Sequence, residues 1–238
     1  MRCLATRWAR WSVASSVERG RLARHHPTSQ LTDEVLAGSA RSVGALDEVD
    51  RGALAGPVAV GLVVLNHDSP DPPVGIADSK VLTAARREAL VPAISTWVRS
   101  AVGLATAAEV DLHGILGALR LAAWRALRSH EELPELLVVD GNVDWVNWPT
   151  SMLLEEDLAQ LKPAPVAVRT EVRGDQTSVA LGAASIVAKV HRDALMVGLD
   201  QQWPGYGWAT NKGYGTPAHL NAIAERGLTP EHRQSWKL

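Results

Sequence analysis

The sequence has no phenylalanine and a single cysteine, Cys3, among its 238 residues. One thiol cannot form a disulfide framework or a thiolate metal cluster, so we expect a reducing compartment and a cytoplasmic protein. No apolar run approaches the roughly 20 residues that a membrane-spanning helix needs, so we expect no membrane partner. In the absence of phenylalanine, the nine tryptophans and the many valines, leucines and alanines are predicted to fill the core.

A surplus of basic residues is also missing. The chain has 24 lysines and arginines against 26 aspartates and glutamates, a formal net charge of −2. Proteins that bind nucleic acid usually carry a basic surplus, so the overall balance argues mildly against such a partner. The argument weakens if divalent cations sit on a cluster of acids, because the most repulsive patch then becomes attractive to phosphate.

Residues 1–30 differ from the rest of the chain. They hold six arginines and one acid, Glu18, and they contain no apolar segment of the kind that a secretory signal needs. An Arg- and Ser-rich start with few acids also resembles an organelle transit peptide. We expect a loosely ordered extension that adds sequence-independent attraction to phosphates.

Strand and helix patterns alternate from about Leu31 onward. Five short apolar runs predict buried strands, at residues 43–46, 58–65, 100–107, 136–139 and 166–172. Helical patterns follow at residues 83–97, 109–129, 178–199 and 217–226. Thr83 is placed to cap the first of these helices. The alternation predicts one α/β domain over residues 31–238, with a central sheet flanked by helices and a C-terminal helical segment.

Acidic residues stand at the ends of the predicted strands. Asp47 and Glu48 close the first strand, Asp140 closes the fourth, and Asp175 precedes the last long helix. Carboxylates that arrive together from different elements repel one another, and a bound cation makes the arrangement tolerable. Hard oxygen ligands suit Mg²⁺ or Mn²⁺, and two such ions about 4 Å apart can act on a phosphodiester. Taken singly, each acid is more simply interpreted as a solvated turn residue.

Asp47 and Glu48 are adjacent, which is awkward for a shared site. Side chains alternate between the two faces of a strand, so regular geometry cannot point both into one place. Either the strand breaks at Glu48, or Glu48 contributes differently, for example through its carbonyl. Asp50 and Gly52 follow closely and make a break plausible.

Five segments together resemble the ribonuclease HII family in order and spacing. They are LDEVDRGALAGPV at 46–58, DSK at 78–80, VVDG at 138–141, GD at 174–175 with AASIVAKVHRD at 183–193, and KGYGTPAHL at 212–220. Each segment alone is a weak signal, whereas five in register are a strong one. The resemblance covers about residues 31–238.

The resemblance implies a ribonuclease H-like fold with a central, mixed five-stranded sheet. It implies that two Mg²⁺ or Mn²⁺ ions bind an acidic cluster made of Asp47, Glu48, Asp140 and Asp175. It also implies an endonuclease, acting as a monomer on RNA/DNA hybrids or on duplex DNA with embedded ribonucleotides. Such an enzyme hydrolyses the phosphodiester on the 5′ side of a ribonucleotide and leaves 3′-hydroxyl and 5′-phosphate ends.

The resemblance also implies a set of substrate-binding residues. The family's Gly-Arg-Gly loop, which reads the ribose 2′-OH through backbone groups, corresponds to Asp50, Arg51 and Gly52, and its sugar-packing tyrosine to Tyr214. Lys80 and Lys189 resemble lysines that face phosphate or support the site. The 2′-OH is the natural group to read, because it separates RNA from DNA at one nucleotide.

Asp50 departs from the family pattern, which has glycine there. A backbone conformation with positive φ is less unfavourable for aspartate than for most other residues. The carboxylate is expected to place negative charge beside an incoming phosphate, so we expect Asp50→Gly to increase cutting.

Asp175 and Asp193 both lie in family-like segments, and only one can join the acidic cluster. If residues 179–193 are helical, about 1.5 Å per residue separates the two ends by roughly 21 Å. Asp175 precedes the helix, whose N-terminal dipole favours a carboxylate. Asp193 is better interpreted as an ion-pair or packing residue.

Two other functions stay open. A 3′–5′ exonuclease on a related fold resembles this pattern, but such enzymes place Asp-x-Glu on the first strand, whereas the acids here are adjacent. A non-catalytic hybrid-binding protein, damaged by Asp50, is the second. Five histidines lack a metal-ligand spacing and are interpreted as structural or surface residues; they are His113, His130, His191, His219 and His232.

Overall fold

The computed structural model describes residues 27–38, 40–147 and 165–236. The strands are β1 Ser42–Val49, β2 Val58–Asn66, β3 Arg99–Ala105, β4 Leu136–Asp140 and β5 Ala167–Glu171. The helices are α1 Gln30–Ala37, α2 Ala84–Trp97, α3 Ala107–Arg128, α4 Gly174–Thr177, α5 Val179–Gln202, α6 Trp208–Asn211 and α7 Pro217–Arg226. All five predicted strands and all four predicted helices are present, whereas α1, α4 and α6 were not predicted.

The five strands form one mixed sheet in the order β3-β2-β1-β4-β5. The first three are a meander of antiparallel neighbours, while β1 pairs with β4 and β4 with β5 in parallel. The parallel pairs bring the ends of β1 and β4 to one edge of the sheet, since Leu46 is in register with Val139. The predicted mixed five-stranded sheet is confirmed.

Alternation along β1 divides the core between the two faces of the sheet. Val43 and Ala45 pack with residues of α2 and α5. Leu46 packs on the opposite face with the buried residues of α3. By the same alternation, Asp47 points to the α5 face and Glu48 to the α3 face.

Gly61 allows α5 to lie close to the sheet. It is the register partner of Asp47 on the neighbouring strand β2. A Cβ atom at Gly61 would overlap the carbonyl oxygen of Ala184 on α5. The absence of a side chain therefore brings the next helical residue, Ser185, up to the strand that carries Asp47.

Threonine side chains cap the starts of two long helices. Thr83 accepts a hydrogen bond from the backbone N–H of Arg86, which confirms it as the cap of α2. Thr106 forms a reciprocal capping box with Glu109 at the start of α3.

None of the described helices is both long and apolar enough to cross a membrane.

The predicted N-terminal extension falls mainly on residues 1–26, which lie outside the described residues. Of its last residues, Thr28 donates its backbone N–H to the carbonyl of Thr177 at 2.8 Å. The Thr28 carbonyl accepts from Val179 at 3.1 Å. The chain is thus attached to the start of α5 before α1 begins.

Candidate metal and nucleic-acid site

Three members of the acidic cluster meet at the edge where β1 and β4 end. Asp47 and Asp140 directly follow the register pair of β1 and β4 and point to the same face. The backbone N–H of Gly174 donates to Oδ1 of Asp140 at 2.6 Å, which places Asp175 beside it. The sheet and the short helix α4 therefore bring together acids that are far apart in sequence.

Glu48 does not interrupt β1. It pairs with Val60 of β2, and the strand continues to Val49. Of the two alternatives, a strand break at Glu48 is therefore wrong, because the antiparallel ladder with β2 holds the backbone extended past both acids. The other alternative, a contribution from Glu48 that differs from that of Asp47, stays a prediction.

Burial and mutual repulsion disfavour ionisation of the cluster. Burial, followed by the charges of Glu48 and Asp140, raises the pKa of Asp47 well above its usual range, against a hydrogen bond from Ser185. Burial and the charge of Asp140 raise the pKa of Glu48 to about 7. Burial and the charge of Asp175 raise the pKa of Asp140. The protein therefore supplies too little positive charge to keep all of these acids ionised.

Lys80 supplies part of the missing positive charge. Its ammonium donates to Oδ2 of Asp175 at 3.0 Å, while 74% of the side chain remains exposed. Burial lowers the pKa of Lys80, but the hydrogen bond and charge of Asp175 outweigh that effect and raise it. One exposed ammonium faces four carboxyl groups.

The donor atoms fit a hard divalent cation. Two carboxylate oxygens, Oδ2 of Asp47 and Oε2 of Glu48, are buried without a hydrogen-bond partner. Buried polar atoms normally have a partner, and oxygen is the donor that Mg²⁺ and Mn²⁺ prefer. Within residues 27–38, 40–147 and 165–236, no group of three or more acids, histidines or cysteines is already arranged to hold an ion. The carboxylate oxygens are donors of the type that Mg²⁺ and Mn²⁺ bind, but the described residues do not form a complete coordination shell.

The loop after β1 turns at Asp50, where φ is +60°. Only 1% of the Asp50 side chain is exposed, and Lys189 donates to both carboxylate oxygens, at 3.0 and 3.1 Å. Arg192 lies 3.4 Å from Oδ2. The expectation that Asp50 places negative charge beside an incoming phosphate is therefore wrong, since positive φ turns the carboxylate inward onto two cations.

A groove of about 350 Å³ lies between this loop and the predicted lysines. Its walls are formed by Glu48, Val49, Asp50, Arg51, Gly52, Ser79, Lys80, Arg87, Lys189 and Tyr214. All six predicted substrate-binding residues line it, together with one acid of the cluster. Tyr214 is 40% exposed, and its Cε1 atom lies 3.9 Å from the position of a Cβ built on Gly52.

The family model described as Ribonuclease HII matches residues 44–238. The chain belongs to the ribonuclease HII family. It is 42% identical over 198 residues to Ribonuclease HII of Streptomyces coelicolor, covering 83% of this chain and 77% of that protein. The corresponding protein of Paracoccus denitrificans is 42% identical over 210 residues, which are 88% and 91% of the two chains.

Solved structures agree with this assignment. The crystal structure of ribonuclease H2 from Pyrococcus horikoshii OT3 superposes with a TM-score of 0.63 at 25% identity. The match covers 82% of this chain and 94% of that one. The ribonuclease H-like fold is thereby confirmed, and the enzyme is a type HII ribonuclease H, a hydrolase that acts on nucleic acid.

Lys189 and Asp193 form an internal ion-pair network in this ribonuclease HII-family chain. The Lys189 ammonium also donates to Oδ1 of Asp193, at 2.8 Å. Arg87 lies 3.6 Å from the other oxygen of Asp193. The ion-pair interpretation of Asp193 is confirmed. Lys189 lies in the groove wall with its charge directed to Asp50 and Asp193, whereas Lys80 remains mostly exposed.

Arg233 holds the loop in place and was not singled out from the sequence. Its guanidinium donates to the carbonyl of Arg51 at 2.7 Å, of Asp50 at 3.0 Å and of Gly56 at 3.2 Å. No local pattern identifies it, because its partners lie about 180 residues away in sequence. Ser185 was also missed as a site residue, although it lies within a family-like segment.

The histidines that are buried together are structural. His219 accepts at Nε2 from the indole N–H of Trp208, 2.9 Å away, and lies 3.2 Å from Nε2 of His232. Nδ1 of His232 is 2.9 Å from both the backbone nitrogen and the hydroxyl of Thr229. Burial and the neighbouring His219 lower the pKa of His232 to about 4, so this pair packs as neutral rings.

Proposed function

We propose that the chain is an endonuclease that hydrolyses the phosphodiester on the 5′ side of a ribonucleotide paired with DNA. The substrates would be RNA/DNA hybrids and duplex DNA with embedded ribonucleotides. Water adds to phosphorus and the bond to the preceding O3′ breaks, leaving a 3′-hydroxyl and a 5′-phosphate. The supporting observation is the under-compensated acidic cluster beside a groove lined by Arg51, Gly52 and Tyr214.

The acidic cluster would hold two divalent cations, Mg²⁺ or Mn²⁺. When bound, such ions activate a water and stabilise the leaving oxygen of the phosphodiester. The orphaned oxygens of Asp47 and Glu48 support this assignment, as do the raised pKa values of Asp47, Glu48 and Asp140. Ser185 lies close enough to Asp47 to oppose the rise in its pKa, and the backbone N–H of Gly174 donates to Oδ1 of Asp140.

The groove would supply the selectivity for ribose. Backbone groups at Arg51 and Gly52 would meet the 2′-OH, and the exposed face of the Tyr214 ring would pack on the sugar. The Lys80 side chain is 74% exposed, so its ammonium would be able to contact a phosphate. Arg51 is exposed and lies only 3.9 Å from Glu48, which places the loop next to the acids. The residues proposed to contact the ribose therefore lie next to the acids proposed to hold the metal ions.

The decisive assay uses labelled duplex DNA that contains one ribonucleotide. Incision is expected with Mn²⁺ or Mg²⁺, on the 5′ side of the ribonucleotide, with the product ends mapped by labelling and phosphatase sensitivity. Cutting in excess chelator, or equal cutting of all-DNA duplex, contradicts the proposal. Retention of the substrate without turnover favours the hybrid-binding alternative, and stepwise removal of 3′ nucleotides favours the exonuclease.

Two accompanying features belong to the same proposal. Affinity for the duplex should fall as salt rises, because phosphate contacts release counterions. We also propose that the active species is a monomer, which sedimentation of the protein with and without the duplex tests directly.

A further inference from the structure

An anion is buried beneath the wall of the groove. The Asp50 carboxylate is held by Lys189 on both oxygens and by Arg192 on one. These contacts fix its position and its rotation. Because the loop enters the left-handed region at this residue, the carboxylate points away from the groove mouth and into the protein.

Asp50 compensates a local excess of positive charge. Arg192 and Arg233 are buried side chains that approach the same loop. Burial, followed by the charge of Arg192, lowers the pKa of Arg233 to about 10, and the charge of Asp50 opposes this. Loss of the Asp50 carboxylate would leave these arginines and Lys189 with less compensating charge.

Tyr214 is attached to the same loop at two points. The carbonyl of its neighbour Gly213 accepts from the backbone N–H groups of Leu54, at 2.8 Å, and Ala55, at 3.2 Å. Its phenol faces Asp50: burial, then the charge of Asp50 and a hydrogen bond with it, raises the pKa of Tyr214 to about 12. Tyr214 is thus held to the loop through the backbone of Gly213, and its side chain lines the same groove as Asp50.

We propose that Asp50 is a positioning residue, whose buried carboxylate fixes the Tyr214 ring relative to Arg51 and Gly52 and so sets how tightly the groove binds a ribonucleotide. The inference rests on the proposed function. It gives the departure from the family's glycine a defined role: the carboxylate touches no substrate and acts through Tyr214.

The test compares KM and kcat on duplex DNA with one ribonucleotide, below the thermal midpoint of every variant. The variants are Asp50→Asn, Asp50→Gly, Tyr214→Phe and the double variant Asp50→Asn/Tyr214→Phe. Asparagine tolerates positive φ and keeps one acceptor oxygen, so it preserves the fold better than other replacements. The matched control is Asp68→Asn, an exposed acid after β2.

Asp50→Asn should raise KM about 10-fold, the loss of one hydrogen bond to a charged group, with kcat changed less than about twofold. Asp50→Gly should raise KM further, because it keeps the backbone freedom but no acceptor. In the Tyr214→Phe background, Asp50→Asn should change KM less than about twofold, because the hydroxyl that it positions is already absent. Asp68→Asn should behave as the wild type.

A KM for Asp50→Gly equal to or below that of the wild type overturns the inference. Independent effects of Asp50→Asn and Tyr214→Phe in the double variant overturn it as well, because the carboxylate would then act only on general stability.

A binding measurement separates this inference from the proposed function. The ratio of Kd values for ribonucleotide-containing and all-DNA duplex, measured in chelator, should fall toward one in Asp50→Asn. If the wild type cuts nothing with either metal, the proposed function fails, and this ratio alone decides the inference. An unchanged ratio overturns it.

Discussion

Two groups of acids lie within one part of the molecule and have opposite electrostatic character. In the acidic cluster, Asp47 and Glu48 keep buried oxygens without partners. In the second group, Asp50 and Asp193 share the ammonium of Lys189. The first group is under-compensated by the protein, and the second is almost fully paired.

The difference indicates what each group is for. A paired acid stabilises the fold, because removing it leaves a cation without its partner. An unpaired acid at a strand end destabilises the fold until something else supplies the charge. Helix length already separates Asp175 from Asp193 in the sequence, whereas only the partners of its carboxylate place Asp50 in the paired group.

The largest expected effect comes from exchanging one acid in each group. Asp175→Asn should lower turnover on the order of 10³-fold, as the loss of an electrostatic group at a reacting centre does, with the thermal midpoint near that of the wild type. Asp193→Asn should lower the midpoint more than the rate per folded molecule, because Arg87 loses its carboxylate partner and Lys189 loses one of its two. A stable, inactive Asp193→Asn beside an active Asp175→Asn would reverse the assignment.

Bound metal should stabilise the folded protein through the acidic cluster, and not through Asp50 or Asp193. Mn²⁺ or Mg²⁺ at 100 times its Kd should add about 2.7 kcal/mol to the free energy of unfolding, a rise of about 5–10 °C in midpoint. Asp140→Asn should lose most of this rise, while Asp193→Asn should keep it. Thermal unfolding with metal and with chelator measures both, and equal shifts in the two variants would remove the distinction.

In chelator, Glu48 should make the protein less stable as pH rises. Its pKa is raised from 4.5 to about 7 in the folded state. Between these values the folded state binds more protons than the unfolded state, so stability falls through this window and levels off above it. The decrease should be on the order of 3 kcal/mol.

The difference between the wild type and Glu48→Gln, measured from pH 4.5 to 8, isolates this contribution. The neutral histidine pair has the opposite sign, since lowered pKa values cost stability at acid pH, and it cancels in the difference. A difference that does not vary with pH would show that Glu48 is already compensated.

The smallest effect is expected at an exposed pair. Arg41 lies 2.6 Å from Glu135, but 87% and 36% of the two side chains are exposed. Water and salt screen such a pair, so Arg41→Gln should leave the thermal midpoint unchanged within error. A clear loss would show that pairing matters even without burial, and would weaken the contrast between the two groups.

The strands and the acids were predictable because their signals are local. Each strand is a short apolar run, and each acid of the cluster follows such a run or precedes a capped helix. Capping at Thr83 depends on a residue three positions away, and the interpretation of Asp193 depends on the length of the helix that separates it from Asp175. Spacing of this kind is fixed by helix geometry.

The environment of Asp50 was not predictable for the opposite reason. The direction of its carboxylate depends on a positive φ and on Lys189, 139 residues later. The continuation of β1 past Glu48 depends likewise on its ladder with β2. Long-range partners, rather than local propensity, decide both features.

The hydrogen bonds from Arg233 to the loop after β1 affect the order in which the protein can fold. Asp50 and Arg51 are synthesised early, but Arg233, which donates to their carbonyls, is synthesised 182 or more residues later. The meander β1–β3 needs only nearby residues, whereas contacts across such a separation form late. On a ribosome, the sheet that carries Asp47 can therefore form well before the loop acquires its final shape. A growing chain can therefore hold Asp47 and Glu48 in their strand before Arg233 completes the loop that follows them.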